Sequence, residues 1–189
     1  IPIHITEFNK NHIWFDDTRY CKPFITENIL LHSFGENTKE VKENFLEVKA
    51  DGSYQIKEEF NTQRKIEKYF EDQSGTGVEI KQGLFDLVSN VILIDEDHYS
   101  YRDNPGSYRE QQFHFRIAMH QTSSFQYLDD NTKQKLSALY ANYFFVRQDA
   151  LWKKEAMQKL PALKRSTNML ICGEDLGMVP HCVPEVMKQ

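Results

Sequence analysis

The chain has 189 residues, which is enough for one domain with a hydrophobic core but too few for a complete (β/α)8 barrel of about 250 residues. Its formal net charge of −5 is the opposite of what a nucleic-acid-binding surface needs, and no apolar run approaches the length of a membrane span. We therefore expect neither a nucleic-acid partner nor a membrane partner.

The cysteines Cys21, Cys172 and Cys182 form an odd and sparse set, so we expect free thiols in a cytoplasmic protein rather than a disulfide framework. Cys172 lies in an apolar run and is predicted to be a small core residue. No signal peptide is visible, and the chain begins with Ile1 rather than methionine. We expect it to be an internal piece of a longer protein.

The first part of the chain is predicted to consist of a loop and two helices. Residues 1–5 alternate weakly, which is typical of an extended segment, and residues 8–21 mix aromatic, histidine and aspartate side chains without a period, which indicates a loop. Residues 23–34 have apolar residues at helical spacing, with Pro23 suited to the first turn and Gly35 suited to the C-terminal cap. Residues 38–45 are predicted to form a second, shorter helix.

A β-hairpin is the clearest short-range signal in the middle of the chain. Two short alternating runs within residues 45–57 flank a turn at residues 50–53, where Asp51 is followed by Gly52. An Asp-Gly pair between alternating runs favours a tight hairpin turn, because glycine adopts the required positive φ angle without strain. We predict a two-stranded hairpin here.

Between the hairpin and the longest helix, the apolar spacing predicts two further helices and two short strands. Their ranges are residues 61–72 and 78–90 for the helices, and residues 91–94 and 113–117 for the strands. On the first of these helices, Ile66, Tyr69 and Phe70 are predicted to face inward.

The longest element is a predicted helix at residues 131–159. Its apolar residues keep the spacing of one helix face, and Asp129 or Asp130 can cap its start by accepting a hydrogen bond from a free backbone N–H. Pro161 is predicted to end this helix, because proline lacks the backbone N–H that a helix interior needs. Its aromatic residues are predicted to be core rather than cofactor contacts.

The most informative stretch lies near the C-terminus. The apolar run at residues 169–172 is typical of a strand buried on both faces, and Gly173, Glu174 and Asp175 follow it at once. In a (β/α) barrel the reactive groups lie at the C-terminal ends of the strands, where Glu174 would stand. A carboxyl group against apolar walls can keep its proton near neutral pH, as a general acid requires. The alternative is a loop with two solvated carboxylates.

The sequence Cys-Gly-Glu-Asp-Leu-Gly-Met-Val-Pro at residues 172–180 resembles the acid/base motif of the 4-α-glucanotransferases, glycoside hydrolase family 77. The aromatic helix at residues 139–152 and the Leu-Pro-Ala-Leu sequence at residues 160–163 look like the long, insertion-bearing branch of that family that acts on maltose. The resemblance implies an α+β, helix-rich chain. It would be an incomplete piece of a (β/α)8 TIM-barrel glycosidase that carries a mostly helical insertion with a small β-hairpin.

The resemblance also implies a division of the chain. Residues 1–22 would be a barrel-flanking loop, and residues 23–129 would be the mostly helical insertion. Residues 130–189 would supply the long helix, a barrel strand and the catalytic loop. Two other interpretations stay open: a non-catalytic helical interaction or carbohydrate-binding module, and a retaining hydrolase of α-glucans.

The chemistry implied by the resemblance is glucosyl or maltosyl transfer between α-1,4-glucans such as maltose, maltodextrin and glycogen, with retention of configuration. Glu174 would be the general acid/base, while Asp175 and His120 would bind substrate or orient the loop. The family's nucleophile would precede Ile1 and its third carboxylate would follow Gln189, so the isolated chain is expected to be inactive. No metal and no organic cofactor are implied.

Overall fold

The computed structural model describes residues 1–71, 76–95, 111–170, 172, 177 and 179–188, and within these ranges the chain is a helix-rich α+β structure with two small sheets. The helices are α1 (Ile5–Lys10), α2 (Asp17–Cys21), α3 (Glu27–Phe34), α4 (Thr38–Phe45), α5 (Gln63–Tyr69), α6 (Thr76–Val88), α7 (Ser123–Gln126), α8 (Asp130–Asn142), α9 (Asp149–Arg165) and α10 (Val183–Val186). The strands are β1 (Ile3–His4), β2 (Leu46–Val48), β3 (Tyr54–Ile56), β4 (Leu93–Asp95) and β5 (Gln112–Phe115).

The predicted hairpin is confirmed. Strands β2 and β3 pair antiparallel, with Leu46 opposite Ile56, and Gly52 in the turn has a φ angle of +80°. Asp51 Oδ1 accepts hydrogen bonds from the backbone N–H and the hydroxyl of Ser53, at 2.9 and 2.6 Å. These bonds, that from the hydroxyl first, lower the pKa of Asp51. All the determinants are local, which is why the sequence predicts this element well.

The other sheet has three antiparallel strands in the order β1-β5-β4. Its residues belong to the first of two hydrophobic cores, which joins the sheet to α1, α2 and α8. Fully or almost fully buried side chains of this core include Ile3, Phe8, Leu93, Phe113, Phe115 and Leu136. The first core therefore draws on residues 3–20 and on residues after 91, which lie on either side of the intervening segment in the sequence.

The second core is formed only by residues between Ile25 and Leu87. Helices α3, α4, α5 and α6 pack together with the hairpin, and their buried side chains include Leu30, Val41, Phe45, Ile66 and Leu84. Buried residues that follow in the described part of the chain, in contrast, belong to the first core: Ile92, Leu93, Phe113, Phe115, Met119 and Phe125. The chain therefore passes from the second core to the first near Asn90. Residue 129 was the predicted end of the insertion, and that boundary stays a prediction.

A buried hydrogen-bond network, which we call the neck, joins the two ends of the second core to the first. Ser124 is fully buried, and its hydroxyl accepts a hydrogen bond from Phe24 N at 2.9 Å and donates one to Asn90 O at 2.5 Å. Asn90 Oδ1 accepts from Ser124 N at 3.2 Å, and Asn90 Nδ2 donates to the Ser123 hydroxyl. Phe24, just before the second core, and Asn90, just after it, are therefore both held by the adjacent residues Ser123 and Ser124.

The long helix predicted at residues 131–159 is confirmed in position, but it contains a π-helical segment and continues past Pro161. Asp129 caps α8 by accepting a hydrogen bond from Thr132 N at 3.0 Å. A π-helical segment, Tyr143–Gln148, then connects α8 to α9 without a break. Pro161 was predicted to end the helix and instead lies inside α9. Its neighbours Leu160 and Leu163 are partly exposed, so this turn is at the surface, where water can replace the missing hydrogen bond.

Three other predictions need correction. Residues 8–21 are not a loop, since the end of α1 and all of α2 lie there around buried Phe8 and Tyr20. Helix α3 begins at Glu27 rather than near Pro23, because Ile25 pairs instead with Tyr54 beside the hairpin. Tyr69 is 47% exposed, although its ring still contacts Phe45 and Phe60 at the edge of the second core.

An ion pair ties α1 to the π-helical segment. Both guanidinium nitrogens of Arg147 donate to the Glu7 carboxylate, at 3.1 and 2.7 Å, and the Arg147 hydrogen bond is the main cause that lowers the pKa of Glu7 below its ordinary value of 4.5. Arg147 also donates to Asn142 Oδ1. We call α8, the π-helical segment and α9 together the helical rod. The ion pair fixes the orientation of this rod against the first core.

Replacement of Glu7 by Gln tests this pair through its pH dependence. A carboxyl with a lowered pKa stabilises the fold at pH values above the pKa of the unfolded chain, and this stabilisation is lost as the pH falls through the folded pKa. We expect Glu7→Gln to lower the free energy of unfolding by about 1 kcal/mol at pH 7, with the difference from wild type shrinking as the pH falls below about 4.5. Urea unfolding measured from pH 3 to 7 checks this, and a pH-independent difference would contradict it.

Replacement of Ser124 by Ala tests the neck. The change removes the acceptor for Phe24 N and the donor for Asn90 O in a dry environment, so we expect a loss of about 1–3 kcal/mol in the free energy of unfolding. Ser33→Ala, on an exposed position of α3, is the matched control and should change stability by less than about 0.5 kcal/mol. Equal stability of the two variants would show that the neck contributes nothing.

Candidate active-site segment

The segment that follows α9 was predicted to enter a buried strand, and the structure contradicts this. Met169 is 78% exposed, Leu170 is 89% exposed, and Cys172 is exposed rather than a core residue. A short apolar run becomes a buried strand only where neighbouring strands pair with it, and in the described ranges no strand lies beside residues 169 and 170. Glu174 and Asp175, the predicted catalytic and loop-orienting residues, lie outside the described residues.

The described residues after this loop are held firmly on the helical rod. Asp149, at the start of α9, accepts a hydrogen bond from Cys182 N through Oδ1 at 3.2 Å, and its carbonyl oxygen accepts one from Cys182 Sγ at 3.4 Å. Lys153, one turn further along α9, forms an ion pair of 2.6 Å with Glu185 of α10. Gly177 has a φ angle of +80°, which glycine adopts without strain. Residues 182–185 are therefore anchored at a defined place on α9.

These contacts shift two pKa values. Hydrogen bonding to Cys182 lowers the pKa of the Asp149 carboxyl. Burial, followed by the hydrogen bond and the charge of Asp149, raises the pKa of the Cys182 thiol. The thiol is therefore less ionised than an exposed cysteine, which makes Cys182 a structural group rather than a nucleophile at this position.

A groove with aromatic walls runs along the rod next to this anchor. It has a volume of about 500 Å³, and we call it the aromatic groove; the residues that define it are Phe144, Phe145, Asp149, Trp152, Glu155 and His181. Phe145 is 47% exposed and Trp152 is 37% exposed, so both offer ring surface to the groove. The π-helical segment supplies the phenylalanines, and such segments often occur at functional sites.

His120, the other predicted substrate-binding residue, points into the protein. Its Nε2 lies 3.0 Å from the Ser137 hydroxyl, and its ring contacts Phe125 and Tyr140 edge-on at 4.9 and 4.8 Å between centroids. It belongs to a turn at residues 116–121, which we call the partition turn. These contacts account for the position of His120, and a role in substrate binding stays a prediction.

The described residues were compared with the requirements of metal sites, membrane-spanning helices and disulfide bonds. Within the ranges that the structure describes, no group of three or more His, Cys, Asp or Glu side chains could hold a metal ion. In the same ranges, no helix is both long and apolar enough to cross a bilayer. Cys21, Cys172 and Cys182 are free thiols. Burial is the main cause that raises the pKa of Cys21 to about 12.

Comparison with known proteins identifies the family. The sequence profile described as 4-alpha-glucanotransferase matches residues 30–189, which is most of the chain and includes the motif at residues 172–180. The chain belongs to the 4-alpha-glucanotransferase family.

One curated relative shows how much of a family member the chain represents. The chain is 37% identical over its whole length to the 4-alpha-glucanotransferase DPE2 of Oryza sativa subsp. japonica. It spans 20% of the length of that protein. No solved structure matches the chain. In this 4-alpha-glucanotransferase segment, the anchor by Asp149 and Cys182 was not predicted, and only the sequence proximity of Cys182 to the motif pointed to it.

Replacement of Asp149 by Ala tests the anchor. We expect the Cys182 thiol to become accessible and its pKa to fall towards an ordinary value, since both the cover and the neighbouring negative charge are removed. Alkylation of Cys182 should then accelerate at least severalfold in peptide-resolved mass spectrometry. Asp149→Asn keeps the acceptor oxygen and is the matched control, and exposed Cys172 is the internal reference. An unchanged rate at Cys182 in Asp149→Ala would contradict the anchor.

Proposed function

We propose that the protein containing this chain is a 4-α-glucanotransferase that moves glucosyl or maltosyl units between α-1,4-glucans, with Glu174 as its general acid/base. The observation that carries the proposal is the family match over residues 30–189, which includes the Gly-Glu-Asp sequence at residues 173–175. The aromatic groove beside the anchored segment supports it, since exposed rings such as Phe145 and Trp152 can stack on the apolar faces of sugar rings.

The proposed reaction is a double displacement. A carboxylate attacks the anomeric carbon while Glu174 donates its proton to the departing glycosidic oxygen, which leaves a glycosyl-enzyme. An acceptor sugar then enters, and ionised Glu174 removes the proton from its hydroxyl as that oxygen displaces the enzyme carboxylate. The anomeric configuration is inverted twice and so is retained. Asp175 and His120 are proposed to orient the loop or to contact the substrate.

We further propose that the chain contributes to a (β/α)8 barrel in the parent protein. The exposure of Met169 and Leu170 supports this, because these apolar side chains would gain cover from neighbouring strands. The three free thiols support a reducing, cytoplasmic location. Proposed substrates are maltose, maltodextrin and glycogen.

Two alternatives are separated from transfer by one assay. In a mixture of labelled maltose and glycogen, a transferase incorporates label into the polymer, whereas a hydrolase releases only glucose. A non-catalytic interaction or carbohydrate-binding module produces neither result.

The test of Glu174 is its replacement by Gln in the full-length protein. The amide cannot donate or accept the catalytic proton, so we expect transfer between maltodextrins to fall by about 10² to 10⁴-fold. A donor with an activated leaving group does not need protonation, so the glycosylation step on that donor should be reduced much less. A folding defect would lower both rates alike, which is why the contrast between donors identifies the acid/base role.

The matched control is Glu67→Gln. It removes one carboxylate from α5 and breaks the surface ion pair with Lys81. Its transfer rate should stay close to that of the wild type. Wild-type transfer by Glu174→Gln, or an equal loss with both donors, would refute the assignment of Glu174.

A further inference from the structure

A second cavity lies between the two cores, away from the aromatic groove. It has a volume of about 680 Å³, within the range of about 300–1,000 Å³ that is usual for small-molecule sites. We call it the polar cleft, and the residues that define it are Asn28, His32, Asp86, Arg116, Gln121 and Tyr127. Helices α3 and α6 form one side, and the partition turn with the residues after it forms the other. Binding sites occur preferentially at such junctions.

The side chains of the cleft offer hydrogen-bonding capacity that the protein itself leaves largely unused. Within the described part of the chain, no hydrogen bond engages the side chain of Asn28, His32 or Gln121. Asp86 accepts one hydrogen bond, from Gln82, and the guanidinium of Arg116 donates one, to Ile117 O at 3.0 Å. These five side chains therefore keep donors and acceptors available to a ligand, whereas the lining side chains of Ser89, Asn90, Thr122 and Ser123 are hydrogen-bonded within the protein.

The balance of charge in the cleft selects a neutral ligand. Arg116 is matched by Asp86, so neither an anion such as phosphate nor a cation gains a net electrostatic advantage. A single carboxylate is also too few for a Ca²⁺ or Mg²⁺ site, which needs several oxygen ligands. A mixture of amides, one carboxylate and one guanidinium suits a neutral molecule that presents many hydroxyl groups, because each hydroxyl both donates and accepts a hydrogen bond.

Tyr127 adds an aromatic face to this polar set. Its ring is 55% exposed and contacts Phe24, with 5.4 Å between the ring centroids. The guanidinium of Arg19 in turn lies 4.3 Å from the centre of the Phe24 ring. These contacts hold the tyrosine ring in place before a ligand binds, so that binding costs little side-chain entropy. A fixed ring beside polar amides can stack on one face of a sugar while its hydroxyl groups are hydrogen-bonded.

We propose that the polar cleft binds a neutral oligosaccharide. That the sugar is an α-1,4-glucan rests on the proposed function; that it is a neutral polyhydroxyl compound rests on the cleft alone. The cleft and the aromatic groove share no lining residue.

The experiment is a titration of the ¹⁵N-labelled 189-residue chain with maltotriose, followed by amide chemical shifts. We expect saturable shifts at residues 28–33, 86–90 and 116–127. The double variant Asn28→Ala/Asp86→Ala removes one amide and one carboxylate from exposed helix positions, and it should weaken binding by about tenfold or more. Inorganic phosphate should cause no shifts in these residues.

The matched control is Asn131→Ala/Glu40→Ala. Asn131 is the second residue of α8 as Asn28 is of α3, and both control positions are exposed and outside the cleft. Its affinity for maltotriose should stay within about twofold of wild type. Cooperative thermal unfolding of every variant shows that it is folded.

Three results would overturn the proposal: no saturation at millimolar maltotriose, shifts confined to the aromatic groove, or equal affinity of the two double variants. Saturable phosphate binding in the cleft would also overturn it. The outcome is independent of catalysis, since the titration of the isolated chain measures binding and not transfer. If the full-length protein transfers glucosyl units but the cleft does not bind maltotriose, only the proposed binding site is refuted. If the cleft binds maltotriose but the full-length protein shows no transfer, only the proposed transferase activity is refuted.

Discussion

The arrangement of the two cores depends on the neck. Residues 24 and 90 are far apart in sequence, and both are hydrogen-bonded to Ser124, which has no exposed surface. A buried backbone N–H or carbonyl is costly when it is unpaired, so this network fixes where the second core can leave and rejoin the first. The polar cleft lies directly beside the neck, since Asn90 and Ser123 of the neck also line the cleft.

The π-helical segment has a comparable influence on the other side of the molecule. A π-helical segment adds an extra residue to the helical turn and rotates the residues that follow. The apolar stripe of the rod is buried through Leu136, Leu139 and Tyr143, whereas Val146 and Phe145 are largely exposed. The change of phase turns aromatic side chains towards the groove. The bidentate pair between Arg147 and Glu7 holds the segment in this orientation.

The sequence predicted what is locally determined. The hairpin, helix α4, the cap by Asp129 and the position of the long rod depend on residues close in sequence, and these predictions are confirmed. The strand at residues 169–172 depends on partners elsewhere, and its apolar composition could not reveal whether this chain supplies them. The neck and the π-helical segment carry no sequence pattern, because an asparagine and two serines are common in loops. For the candidate site, the motif around Glu174 was visible, but its anchor on Asp149 was not.

The partition turn shows how the two surfaces are kept in a fixed relation. Ala118 has a φ angle of +58°, a left-handed conformation that costs a residue with a Cβ atom about 1–2 kcal/mol. Its backbone N–H donates to the Tyr140 hydroxyl at 3.3 Å, and the next residue, Met119, is fully buried in the first core. Burial of that methionine, at roughly 1.5–3 kcal/mol, offsets the strain. The turn is therefore rigid, and because Arg116 lines the cleft while Ile117 lines the groove, a sugar bound on either side meets a preformed wall.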